Sequence, residues 1–200
     1  MSSAAIGTEG VPRPERERQI VAAAVEEFAA NGYAGASVAA VAARAGISKP
    51  LIYQYFGSKD GLFLDALHDV ATPMLERLEV AWSQENDSVL SRVATLGAVF
   101  ESLEPQRVAW RMLFDESMPA AGPIAEAAGA YQARTVQVTA SGSQRFLAAR
   151  GIHDDLDTSA LSAVWLGLVN SLVLWWLEHP EVTAAQMTER CGRLMAAVVA

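Results

Sequence analysis

Residues 37–59 read SVAAVAARAGISKPLIYQYFGSK, and no other stretch constrains the fold as much. Ser37 is a good N-cap for a helix over Val38–Ala45. The inner face of that helix would be Val38, Val41, Ala42 and Ala45, small enough to allow a close helix crossing. Gly46 permits a sharp turn, and Ile47 plugs the core beneath it. Ser48 or Lys49 caps the next helix, where Pro50 in the first turn forfeits only an N–H that has no intrahelical partner. Ile52 and Phe56, four apart, face inward and leave Tyr53, Gln54 and Tyr55 around the remaining surface. Gly57 ends this helix and Ser58 caps another. Two short helices on a tight turn, behind a longer one, spell a helix-turn-helix, whose second helix enters the major groove of DNA.

The longer helix in front runs from about Glu15 to Ala30, with Ile20, Ala24 and Phe28 on one face and Val21 and Val25 beside them. Asn31-Gly32 stops it. Residues 1–14 read as a disordered arm, broken by Gly7, Gly10, Pro12 and Pro14 and lacking the apolar run of a secretory signal. A helix-turn-helix domain over 15–60 follows, and then a second domain over 61–200. The chain is 52% hydrophobic and 19% charged, which suits a packed core and not a disordered chain. Alanine is abundant and the periodic segments hold little Gly or Pro, so the expected class is all-α.

The net charge of −8 at first argues against a polyanion as partner. Its distribution reverses that. Residues 1–60 are neutral, the excess acid lies in 61–200, and no acid occurs between Glu27 and Asp60. Arg44, Lys49 and Lys59 fall in that gap and include both lysines of the protein. An acidic body with a locally cationic end can hold a polyanion at that end. Cys191 is the lone cysteine, so no internal disulfide forms, which suits a reducing cytoplasm.

The residues from Ile20 to Leu67, with GYAGASVAAVAARAGISKPLIYQYFGSKDGLF at their centre, resemble the N-terminal domain of the TetR family of bacterial transcription regulators. The likeness rests on Gly-Tyr after the first helix, Ala-Gly-Ile-Ser at the turn, the Tyr-Gln-Tyr-Phe run, and Ser-Lys-Asp opening the fourth helix. Gln54 and Tyr55 depart from the family's commoner Tyr and His, which leaves the docking intact and the individual contacts open. The resemblance implies a three-helix DNA-binding domain before a helical ligand-binding and dimerisation domain, about nine helices in all. It also implies double-stranded DNA, a second copy of the chain and a small-molecule effector as partners.

The expected DNA-binding residues are Ser37, Ser48, Lys49, Pro50, Tyr53, Gln54, Tyr55 and Lys59. Gln54 suits adenine, Lys49 guanine, and Pro50 a thymine methyl. The tyrosine hydroxyls can donate to phosphate, or the rings can serve as packing. Ser37 and Ser48 are caps that can also touch phosphate. Lys59 lies in the first turn of a helix, where the macrodipole disfavours a cation by roughly 0.3–1 kcal/mol. A phosphate there would meet both the ammonium and the free N–H groups.

The remaining helices are expected to about Trp82 with a kink at Pro73, then Val89–Leu103, a sixth after Pro105 to about Ser117, Ile124–Arg150 with a break point at Ser141-Gly142-Ser143, Thr158–Glu178, and Ala184–Val199. Residues 158–177 carry no charge and could span a bilayer by length. Asn170, four hydroxyl residues and acidic flanks oppose that, so no membrane partner is expected. A helix apolar all round is otherwise buried on every side, which suggests a helical dimer interface. Leu168, Leu172, Trp175, Trp176, Cys191 and Leu194 are the candidates. The aromatic set Trp82, Phe100, Trp110, Phe114, Tyr131 and Trp165, with Asn170, reads first as ordinary core by its helical spacing and, through the resemblance, as candidates for an effector pocket. Asn170 needs a partner, within the chain or across a dimer axis.

Enzyme chemistry finds no support. His153-Asp154-Asp155-Leu156-Asp157 reads as a solvated loop with Asp157 capping the next helix, not as a metal site. Cys191 has no neighbouring base, and no phosphate loop, GxSxG or HExxH occurs. No metal, cofactor or catalytic residue is expected. The alternative function is a small-molecule-binding or enzymatic helical protein with a vestigial helix-turn-helix.

Overall fold

The computed structural model of the chain describes residues 11–83, 89–104, 107 and 110–199, the side chains of 81–83, 89–92, 94, 198 and 199 excepted. Among the described residues every regular element is a helix: α1 Arg13–Gly35, α2 Val38–Arg44, α3 Lys49–Phe56, α4 Lys59–Ser83, α5 Val89–Leu103, α6 Trp110–Leu113, α7 Pro123–Ala148, α8 Asp155–Leu177 and α9 Ala184–Val199. They form two compact units. One holds the described residues up to Val70 together with Arg111–Ala128; the other holds Ala71–Trp110 and the residues from Gly129 onward.

In the first unit the helical periodicity is satisfied by burial. Ile20, Ala24 and Phe28 of α1, Val38, Val41 and Ala42 of α2, Ile52 and Phe56 of α3, and Leu62, Phe63 and Leu67 of α4 form its core. Each fully buried Ile, Leu or Phe contributes about 1.5–3 kcal/mol. Phe63 receives the Phe28 and Tyr33 rings edge-on, at 4.9 and 5.3 Å between centroids. The helix of α1 is broken at Gly32 (φ 66°, ψ 171°), so residues 33–35 form a separate turn.

In the second unit α5 packs on α9. Arg134 of α7 makes a bidentate pair with Glu79 of α4, Nε to Oε1 2.6 Å and Nη2 to Oε2 2.7 Å. That pairing holds the Glu79 carboxyl below its usual range. Tyr131 and Thr72 share a hydrogen bond of 2.9 Å between their hydroxyls.

Several expectations are corrected here. The sixth helix is one turn long and ends at Leu113, so Phe114 leaves the helix face it was expected to share with Trp110. Neither Pro73 nor Ser141-Gly142-Ser143 interrupts its helix. Gly142 and Ser143 are buried, so their small size serves packing. The cap of α8 is Asp154, not Asp157: its Oδ1 accepts from the N–H groups of Leu156 at 2.6 Å and Asp157 at 3.4 Å. The expected arm lies outside the described residues as far as residue 10, while Arg13 and Pro14 already belong to α1.

Candidate nucleic-acid interface

The orientation of α2 is set by a buried acid. Glu27 of α1 is only 5% exposed. Its Oε1 accepts from the Ser37 N–H at 3.1 Å, and its Oε2 pairs with Arg44 Nη1 at 3.1 Å. One carboxylate thus binds the N-terminus of α2, where the dipole favours an anion, and the arginine at its far end. The Ser37 hydroxyl accepts from Ala39 N–H at 3.2 Å, the expected cap.

The turn is a Schellman motif. Ile47 N–H reaches Ala42 O at 3.0 Å and Gly46 N–H reaches Ala43 O at 3.2 Å. Gly46 has φ 66°, which an L side chain rarely adopts, and nothing crowds it, so conformation alone fixes its identity. At the other end of α3, Ser58 Oγ accepts from Gly61 N–H at 3.0 Å and caps α4. A Cβ on Gly61 would stand 2.1 Å from the Phe56 carbonyl oxygen, so Gly61 lets α4 start hard against the end of α3.

With Ile52 and Phe56 buried, Lys49, Pro50, Tyr53 and Gln54 share the exposed face of α3. Lys49 Nζ lies 5.8 Å from the centre of the Tyr53 ring, and Tyr53 is 40% exposed. Ser48 occupies the N-cap position of α3 but makes no side-chain capping bond, unlike Ser37. Tyr55 is half-buried, stacked with Phe56 at 6.0 Å and covered by Arg13.

Lys59 is half-buried and held, not extended. Its ammonium donates to Ala34 O at 3.5 Å and sits 4.7 Å over the Tyr33 ring. Those two contacts offset the macrodipole penalty. The Tyr33 hydroxyl donates to Asp60 Oδ1 at 2.5 Å, and the hydrogen bond to that carboxylate, with burial, pushes the Tyr33 pKa up to about 12.

The 33–35 turn is capped from far away in sequence. Tyr33 N–H donates to Asp115 Oδ2 at 2.5 Å, and Ala34 N–H to Ser117 Oγ at 3.1 Å. Asp115 Oδ1 in turn accepts from Ser117 N–H at 2.9 Å. The sequence reading missed Glu27, Gly61, Asp115 and Ser117. Only Gly61 carried a local signal, standing three residues after a capping serine.

The aromatic candidates divide. Trp110 Nε1–H donates to Asn170 Oδ1 at 3.1 Å, so the amide of α8 finds a partner within its own chain. Phe100 and Trp176 are both fully buried and meet edge-on at 5.3 Å. Trp165 is buried and Tyr131 half-buried. Phe114 is 47% exposed and belongs to the first unit. The Trp82 side chain lies outside the described residues.

Of the interface candidates, Trp176 and Cys191 are buried within their own chain. Trp176 Nε1–H donates to Val182 O at 2.7 Å, and burial pushes the Cys191 thiol pKa up. Leu174, Trp175 and Leu194 are exposed, while Leu168 and Leu172 are half-buried.

The fold and this face define a helix-turn-helix protein of all-helical build. Residues 20–66 match the family described as bacterial regulatory proteins, tetR family. Over that stretch the chain is similar to the regulators of that family. It is 33% identical over 105 residues to the HTH-type transcriptional activator FasR of Mycolicibacterium smegmatis, covering 52% of this chain and 48% of FasR. The chain thus spans about half or less of the length of the first curated relatives it matches. In fold it is similar to a TetR-like regulator from Rhodococcus sp. RHA1 (TM-score 0.73, 22% identity, 91% and 94% of the two chains). It is also similar to FadR of Bacillus subtilis, solved with stearoyl-CoA (TM-score 0.68, 18% identity, 88% and 96%). These relatives are transcription regulators, not enzymes.

Proposed function

We propose that the chain is a cytoplasmic, homodimeric DNA-binding regulator, a repressor released from a near-palindromic operator by a small apolar effector. One observation carries the DNA reading: the capped, glycine-hinged scaffold buries one side of α3 and leaves Lys49, Pro50, Tyr53 and Gln54 on the other. Those side chains suit base edges and phosphate in a major groove. Ser37, Ser48, Tyr55 and Lys59 flank them as phosphate contacts. A dimer would present two such helices to successive major grooves.

The effector reading rests on the second unit, which holds the buried Phe100, Trp110 and Trp165, the half-buried Tyr131 and the Trp110–Asn170 hydrogen bond. An apolar ligand that binds the DNA-free state better would release DNA by population shift. The stearoyl-CoA bound to the FadR relative supports an apolar effector class.

The test is selection of duplexes from a random pool by the purified protein. A near-palindromic consensus is expected, and Gln54→Ala should relax preference at one position per half-site by about 1–3 kcal/mol. An identical consensus from the variant would remove Gln54 as a reader. No retention of any duplex at low salt would overturn the DNA reading.

A further inference from the structure

The lysines and arginines of residues 11–60 fall into two sorts. Arg18 pairs with Glu15, and Arg44 with Glu26 and Glu27, so carboxylates already neutralise them. Arg16 is buried and donates to Gln19 Oε1 at 3.1 Å. Arg13, Lys49 and Lys59 make no ion pair among the described residues. Each instead lies over a tyrosine ring: Arg13 Cζ over Tyr55 at 5.2 Å, Lys49 over Tyr53 at 5.8 Å, Lys59 over Tyr33 at 4.7 Å. A ring face restrains a cation without cancelling its charge. Within residues 11–60 these three are therefore the cations left to a polyanion, and two of them are already assigned to DNA by the proposed function.

We infer that Arg13 is a third contact, an exposed guanidinium carried on Tyr55 beside the recognition helix that binds a DNA phosphate. This rests on the DNA-binding reading and extends it. Arg13 lies outside the stretch that matches the family, residues 20–66, and 42 positions from Tyr55 in sequence. It stands at the start of α1, in a turn that brings a cation onto Tyr55 of α3. A guanidinium restrained at a helix start can offer paired N–H groups to a phosphate with little further loss of freedom.

The test uses the full chain and the duplex that the wild type selects, with a scrambled duplex of equal length. Affinity is measured across a salt series for wild type, Arg13→Ala, Arg13→Lys and Arg18→Ala. Arg13→Ala is expected to weaken both duplexes about tenfold and to reduce the salt slope by about one, with the selected sequence unchanged. Arg13→Lys should keep the slope and lose part of the affinity. Arg18→Ala, an already paired arginine, should leave the slope as it is. The effect of Arg13→Ala should also shrink in a Tyr55→Ala background, because the two act as a unit. An unchanged slope for Arg13→Ala overturns the inference while the DNA reading stands. So does an equal loss from Arg18→Ala, which would mean bulk charge. If the wild type holds no duplex, both fall together.

Discussion

At the scale of single residues, the head is held by polar groups that sequence patterns treat as solvent-facing. Glu27 stands among exposed charges in α1, yet it is buried and bound at both oxygens. Nothing in a 3.6-residue period distinguishes it from Glu26, because its partners lie ten and seventeen residues on. Gly46, Ser37 and Ser58 were legible because each acts within three residues of itself. Tyr33 offers a direct check on this local chemistry. Its ordinary pKa of 10 is raised in the folded state by donation to Asp60. The neutral phenol is therefore favoured by folding, and the gain is complete below pH 10 and lost as pH rises toward 12. In an ultraviolet titration of the four tyrosines, one should ionise late in the native protein. Tyr33→Phe should remove that late step and the matching alkaline loss of stability. Four coincident steps in the wild type would show that the Tyr33–Asp60 bond does not form in solution.

At the scale of elements, the helices of the head were readable and their supports were not. Short helices with capping serines and apolar residues four apart announce themselves; a loop that caps another helix does not. Asp115 and Ser117 reach the 33–35 turn across 82 and 83 residues. The sequence suggested a long sixth helix there, whereas α6 stops at Leu113 and frees Asp115 and Ser117 to accept hydrogen bonds. Asp115→Ala leaves the N–H groups of Tyr33 and Ser117 without their acceptor. A cost of about 1–2 kcal/mol is expected, as for loss of a helix N-cap, read as a lower urea midpoint at unchanged slope. Asp115→Asn keeps an acceptor oxygen and should lose less. Equal midpoints for wild type and Asp115→Ala would mean that the turn holds itself.

At the scale of the whole molecule, α8 carries an apolar side open to solvent. Its 158–177 run reads as apolar on every side, so the sequence could not say which side faces its own chain. The structure separates them. Ser162, Trp165, Val173 and Trp176 are buried, while Leu156, Val164, Leu174 and Trp175 are exposed by 79, 65, 46 and 37%. By length and composition α8 could also cross a membrane. A second copy and a bilayer would both cover the exposed side, and they respond differently to charge. Val164→Glu with Leu174→Glu should cost little in an isolated chain, where both positions are open to water. In a dimer the same carboxylates would be buried unpaired, which is strongly unfavourable. The wild type is expected to sediment as a dimer without detergent, and the double variant as a monomer of equal helix content. Its affinity for the operator should fall by a factor of roughly 10² to 10⁴, because the second head no longer binds as a tethered partner. In such a dimer each cationic end would carry few charges, so the pairing of two heads would supply most of the grip. A double variant that remains dimeric would move the interface to another face, and a wild type that needs detergent would give α8 to the bilayer.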